Sequence, residues 1–263
     1  MTAPLPFDYE LELNKANRLR LARAFRAHKR VDFSIDCAIE GQMGRAFVDD
    51  RFNPTAYRIT VGPFWYFAGE SRGRGGRRMM GGFPPFNLLM APSDDWLDAA
   101  RSTFGARLNA LPRYSFSSAG LSAGHLAGLL ERSGHQQRVI AIDAEIAAAL
   151  SSQPESFLEL SDFDSIPDFL ERGMGFTVLD GSTVMGVAYS SLVCSQGIEV
   201  SVYIEEPYRR QGVATALSAR LLLESLHNGL RPNWDAANPE SCGLAEKLGY
   251  TFIESYNASY YTA

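Results

Sequence analysis

The 263-residue sequence is short of several things that would name a chemistry outright. Cysteine occurs three times, at Cys37, Cys194 and Cys242, scattered and without a CxxC pair, which argues against a disulfide framework. His28, His125, His135 and His227 form no HExxH or other ligand spacing, so no metal is expected. No apolar run approaches the roughly 20 residues that cross a bilayer. The first residues, MTAPLPFDYELELNKANRLR, lack the apolar core of a signal peptide. A cytoplasmic protein without a membrane partner is the expectation. Also missing are a proline-rich linker, a repeat of fixed period, a Walker loop and the three glycines of a dinucleotide fingerprint.

Positive charge is scarce in one part of the chain. Residues 156–263 carry 6 Lys+Arg against 14 Asp+Glu, whereas residues 1–155 carry 19 against 16, within a net charge of −5. An acidic domain repels nucleic acid and draws cationic partners, amines among them. No nucleic-acid partner is therefore expected. The Arg/Gly stretch 72–78 (RGRGGRR) lacks the interleaved aromatics that stack bases. It reads as a solvated loop, with a lid or a contact to a cofactor phosphate as the other reading.

What is present suits a folded globular protein of one large or two modest domains: 46% hydrophobic and 21% charged residues. Residues 10–29 have the spacing of an amphipathic helix. Val31, Phe33, Ile35, Cys37 and Ile39 alternate strictly, which predicts a half-buried strand. GRAFVDD, AYRITV and FWYFAGE are further strand candidates, and Ser93-Asp94-Asp95 caps a helix expected to run to about Leu111. RYSFS reads as a strand. From about Ser122 the chain reads helix, strand, helix, helix, then two strands joined by Asp180-Gly181, a hairpin signal. IEVSVYIEE is the next strand, followed by a helix to about His227, the strand RPNWDAA, the helix NPESCGLAEKLG and a closing strand. The expected division is residues 1–125 and 126–263.

The junction EEPYRRQGVATAL, residues 205–217, concentrates two of the six cations of the acidic region. A strand that feeds a helix leaves the first helical N–H groups unpaired, and the helix dipole adds partial positive charge there. Gly212 and Ala214 let an oxygen approach the backbone, and Arg209 and Arg210 add directional donors. Phosphate binding and an ordinary capped loop both fit these residues alone.

Arg209-Gln211-Gly212-Val213-Ala214, read with Arg210 between, resembles the Arg/Gln-x-x-Gly-x-Gly/Ala signature of the GNAT superfamily of acyl-CoA N-acyltransferases. The segment Trp234-Asp235, Asn238, Ser241 and Ala245 to Tyr250 is similar to the family's "Asn … Lys-Leu-Gly-Phe" stretch. That set, with WYFAGE and LPRYSF ahead of it, looks closest to the branch typified by zwittermicin A resistance acetyltransferases. The resemblance is strong over residues 138–255. It implies an α+β protein: a C-terminal GNAT-type mixed, mostly antiparallel sheet flanked by helices, and a smaller α+β N-terminal domain that covers or extends the acceptor cleft.

The resemblance further implies acetyl-CoA as cosubstrate, its pyrophosphate held by backbone N–H groups from Arg209 through Arg210, Gln211, Gly212, Val213 and Ala214 to Thr215. Val202, Tyr203 and Ile204 would pair with the pantetheine arm, and an N–H near Tyr203 or Ile204 would polarise the thioester carbonyl. Asn238 and Ser241 would touch the cofactor arm, although Asn238-Pro239 is also an ideal helix start. Glu199 stands near the family's glutamate base, the other reading being a surface carboxylate. The family's leaving-group tyrosine is replaced by Ala245, with Tyr203, Tyr208, Ser241 and Cys242 as stand-ins. Trp234 and Asp235 line the acceptor site or serve the core.

The function expected is N-acetyl transfer to a primary amine of a small cationic acceptor by direct attack in a ternary complex. A non-catalytic acyl-CoA sensor and an aminoacyl-tRNA-dependent transferase with two GNAT-like halves are the alternatives. A homodimer is left open.

Overall fold

A computed structural model describes residues 8–91, 93–152, 157–181 and 183–263; the first seven residues of the stretch read for a signal peptide lie outside the described residues. Two compact units divide between Pro112 and Arg113, and Tyr256–Ala263 belong with the first.

The first unit holds β1 (Tyr9–Glu10), α1 (Lys15–Ala24), α2 (Ser34–Glu40), β2 (Arg45–Val48), β3 (Ala56–Val61), β4 (Phe64–Gly69), α3 (Arg74–Gly81), β5 (Leu88–Met90), α4 (Asp94–Phe104) and the start of β6 (Leu108–Ser117). β1 to β4 pair antiparallel in sequence order, β5 lies parallel to β4, and Ser259 of the last strand stands opposite Leu89. Met79, Met80, Phe67, Phe83, Leu89, Trp96 and Ala100 form the core.

Three expectations are corrected here. The alternating run at Val31–Ile39 is not a strand but contains α2. The Asp32 carboxylate accepts from Ser34 N at 2.9 Å, and Gly41 ends the helix at φ 70°. Because Ser34, Ile35, Cys37 and Ala38 are all buried, the helix has no polar face to give a 3.6-residue signal. The Arg/Gly stretch is not a loop: α3 starts within it, at Arg74, and runs on to Gly81. A Cβ at Gly76 would lie 2.2 Å from the Glu70 carbonyl oxygen, so that glycine is a packing requirement within a helix. Finally, α4 stops at Phe104, and Leu108 already lies in β6. Trp96, Ala100 and Phe104 share the buried side of α4 as expected.

The second unit, Arg113–Ser255, continues with α5 (Ala123–Arg132), β7 (Val139–Ala141), α6 (Ala144–Ser151), α7 (Ile166–Arg172), β8 (Gly175–Asp180), β9 (Thr183–Cys194), β10 (Gly197–Ile204), α8 (Val213–His227), β11 (Arg231–Ala236), α9 (Pro239–Leu248) and most of β12 (Thr251–Tyr261). Its strands run β7-β8-β9-β10-β11-β6, all antiparallel except the β10–β11 pair. Tyr114, Ser115 and Phe116 of β6 pair with β11, which places the unit boundary ahead of residue 125. The β8–β9 hairpin closes through Asp180 opposite Thr183, with Gly181 at φ 60°. α8 is buried along most of its length, and Ala216, Ala219 and Leu222 pack with Leu126, Leu129, Trp234 and Leu248. The α+β class and the mostly antiparallel sheet flanked by helices are as expected.

Candidate acyl-donor site

β10 and β11 pair over three residues only: Gly197 with Arg231, Ile198 with Pro232, Glu199 with Asn233. Gly197 permits the close start of this pairing, since a Cβ there would lie 1.9 Å from the Arg231 carbonyl oxygen. Between Glu199 and Val200 the register with β9 shifts by one residue, Ser191 being the extra residue on the β9 side. Beyond Glu199 a cleft of about 1160 Å³ opens, lined by β10, the following loop, the start of α8, Trp234 of β11 and one side of α9.

The start of α8 differs from its neighbours. In the same unit α5, α6, α7 and α9 are capped by the side chains of Ser122, Asp143, Ser165 and Asn238. α8 has Gly212 at its cap, at φ 86°, and no side-chain cap. Its first-turn N–H groups thus keep their donor capacity at the positive end of the helix dipole, a geometry that takes an anion. A Cβ on Gly212 would lie 3.2 Å from the Ser133 carbonyl oxygen, and Arg210 is held at φ 64°, so the loop is tightly specified. Arg209 Nε donates to the Ile204 carbonyl at 3.2 Å and Gln211 Nε2 to the Pro207 carbonyl at 2.8 Å. These bonds brace the turn. His135 Nε2 lies 2.9 Å from the Gln211 carbonyl oxygen, a further tie on the same loop.

Of the twelve residues assigned to the cosubstrate from the sequence, ten line this one cleft: Val202, Tyr203, Ile204, Arg209, Arg210, Gly212, Ala214, Thr215, Asn238 and Ser241. Gln211 and Val213 do not; Gln211 braces the loop and Val213 is buried. Asn238 caps α9 by accepting from Ser241 N at 2.8 Å, with Pro239 next and Gly249 closing the helix at φ 104°. Glu199 is buried at the root of the fork, outside the cleft lining. Its two carboxylate oxygens accept from Asn233 Nδ2 at 3.2 and 3.0 Å. Close by, burial and then the Glu199 charge push the Tyr250 hydroxyl well above the usual tyrosine range, and it donates to the Pro232 carbonyl at 3.2 Å.

Trp234 lines the cleft and donates from Nε1 to Ser241 Oγ at 3.1 Å, whereas Asp235 is paired with Arg113 at 2.7 Å. Ala245 is buried in the core. Of the stand-ins for the absent tyrosine, Tyr203, Tyr208 and Ser241 line the cleft. Cys242 packs against the core instead, where burial pushes its thiol pKa up. Sequence reasoning missed Lys247, whose Nζ donates to Thr215 Oγ1 at 3.0 Å beside the α8 terminus. Its signal was available: it is the last cation of the chain, one turn from the Gly249 stop.

The GNAT acetyltransferase family model matches residues 25–259. An uncharacterized N-acetyltransferase of Bacillus subtilis (strain 168), YdfB, is 25% identical over 227 residues, 82% of this chain and 85% of that protein. A GCN5-related N-acetyltransferase-like protein from Streptococcus suis 89/1591 superposes with a TM-score of 0.82 at 29% identity, covering 95% of this chain and 100% of the other. A GCN5-related N-acetyltransferase from Sphaerobacter thermophilus shares the fold, with a TM-score of 0.54 at 13% identity over 97% and 96% of the two chains.

Proposed function

The chain belongs to the GNAT acetyltransferase family, and from that membership we propose that it transfers an acetyl group from acetyl-CoA to a primary amine of a small cationic acceptor. The observation that carries the donor half is the uncapped start of α8 facing the cleft where β10 and β11 part. That terminus fits a diphosphate: backbone donors, the helix dipole and the cations Arg209, Arg210 and Lys247 converge on it. β10 beyond Glu199 offers a strand edge for an extended amide-bearing arm. Bound there, acetyl-CoA supplies the acetyl thioester.

The residues of the chain then have three tasks. An N–H near Tyr203 or Ile204 polarises the acetyl carbonyl. Glu199, through a water relay from its buried position, takes the proton that the acceptor ammonium must lose before its nitrogen can attack. The C–N bond forms as the C–S bond breaks; Tyr208, Tyr203 or Ser241 gives a proton to the departing sulfur, and the surplus proton on the newly bonded nitrogen passes through water to restore that group. The acceptor reading draws support from the acidic balance of residues 156–263, which also disfavours tRNA. The resemblance to the zwittermicin A resistance branch supports self-protection as the biological role, in the cytoplasm. Among the described residues no helix is long and apolar enough to cross a membrane.

A second reading, an acyl-CoA-binding sensor without turnover, is favoured by Ala245, which brings no acid to the cleft. The test is release of free thiol from acetyl-CoA across a panel of small amines, with mass spectrometry of the acceptor. Thiol release matched by an acetylated amine is expected. Binding without release on every amine supports the sensor.

A further inference from the structure

The two units repeat one plan. The first runs short strand, two helices, three antiparallel strands, α3, a parallel strand, α4. The second runs β7, α6 and α7, the antiparallel strands β8 to β10, α8, the parallel β11, α9. In both, the parallel pair has three registered residues, Phe64–Leu88 to Tyr66–Met90 in one and Gly197–Arg231 to Glu199–Asn233 in the other. In both, the parallel strand is flanked on its far side by the end of a long strand, β5 by that of β12 and β11 by that of β6. The loops correspond in position. Gly73 caps α3 at φ −65° and Gly212 caps α8 at φ 86°, each without a side-chain cap. Aligned on those glycines, Glu70-Ser71-Arg72-Gly73-Arg74-Gly75 stands against Arg209-Arg210-Gln211-Gly212-Val213-Ala214.

The two sites differ in what fills them. At the first loop position Arg209 is replaced by Glu70, whose Oε2 would lie 3.3 Å from a Cβ on Gly73. The buried Asp49 carboxylate presses on the first turn of α3, its Oδ2 1.8 Å from where a Cβ on Gly75 would stand. That carboxylate is fixed by Thr55 N and Ala56 N, both at 2.9 Å. Two anions therefore sit where α8 presents open space and cations. The fork between β4 and β5 is filled too. Trp96 of α4 is buried, lies tilted against Phe67 with ring centroids 4.9 Å apart and donates from Nε1 to the Gly69 carbonyl at 3.2 Å. The end of β4 is thus bonded by an indole from α4, whereas the end of β10 accepts from Arg209 of its own following loop.

We propose that the first unit is a second copy of the acyltransferase fold whose donor cleft is closed by its own side chains: Trp96 in place of the pantetheine arm, and Glu70 and Asp49 in place of the diphosphate. One chain then takes one acyl-CoA, at α8. The inference rests on the donor site proposed for the second unit.

The test is calorimetric titration of the intact chain with acetyl-CoA, paired with hydrogen exchange read by peptide. One equivalent per chain is expected, with protection at residues 205–216 and none at 66–78. Gly73→Ala leaves the affinity unchanged, because a Cβ there meets only the tip of Glu70. Gly212→Ala at φ 86° weakens binding about tenfold or more. A second equivalent, protection at 66–78, or a loss of affinity in Gly73→Ala overturns the inference while leaving the proposed function standing. No binding at all overturns the proposed function and this inference with it.

Discussion

Asn233 Nδ2 donates to both carboxylate oxygens of Glu199, at 3.2 and 3.0 Å, across the last registered pair before β10 and β11 part. The bond ties the proposed base to the root of the fork and fixes its orientation. Glu199→Gln keeps the shape and removes the base, so kcat is expected to fall about 10²- to 10⁴-fold. The affinity for acetyl-CoA is expected to hold, since Glu199 does not line the cleft. Steady-state kinetics and calorimetry on the same preparation check this; an unchanged kcat removes Glu199 from the mechanism.

Lys247 contributes a cation beside Thr215 at the start of α8. Lys247→Met is expected to raise the dissociation constant of acetyl-CoA about tenfold, the scale of one charge-assisted bond. The wild-type affinity should also fall more steeply with salt than the variant's. Parallel titrations at low and high ionic strength measure both effects.

Arg113 and Asp235 form an ion pair with side chains 10% and 3% exposed. Breaking a buried pair leaves an uncompensated charge and costs about 3–5 kcal/mol. Urea denaturation of Arg113→Ala should show a loss of that order. A loss below about 1 kcal/mol would mean that water or a neighbour replaces the guanidinium.

His28 is buried, and desolvation lowers its pKa below the ordinary 6.5, outweighing the Lys29 and Met90 carbonyls and Asp32, which act the other way, while Arg30 adds to the lowering. The unfolded chain therefore binds a proton more readily than the folded one. Stability carried by the neutral ring is present above about pH 6.5 and is lost as the pH falls below it. Between about pH 7.5 and about pH 5 the melting temperature should fall more steeply for wild type than for His28→Phe. Equal slopes would place the ring's proton uptake outside this account.

Much of the second unit was legible because its punctuation is chemical. Asp180-Gly181 sets a hairpin, Gly212 starts α8, and Asn238-Pro239 and Gly249 bracket α9. The first unit hid more. Its α2 is buried on nearly every side, so an alternating run of apolar letters could not reveal a helix. Glycines in α3 looked like loop residues, yet Gly75 and Gly76 are there to admit Asp49 and the Glu70 carbonyl. The repetition of plan was invisible for the same reason. Between the two glycine-capped loops, an acid has replaced an arginine and no fixed period survives. At the site, residue types told of the donor, but the distinction between lining and bracing needed coordinates: Gln211 supports the turn that Arg210 and Gly212 present.

The most direct measurement of the central claim is acetyl-CoA binding to the wild-type chain and to Gly212→Glu, side by side. A glutamate there places a carboxylate and a strained backbone at the uncapped start of α8. The account predicts saturable binding by the wild type and none by a variant that is still folded by circular dichroism. Equal binding by the two proteins would contradict it.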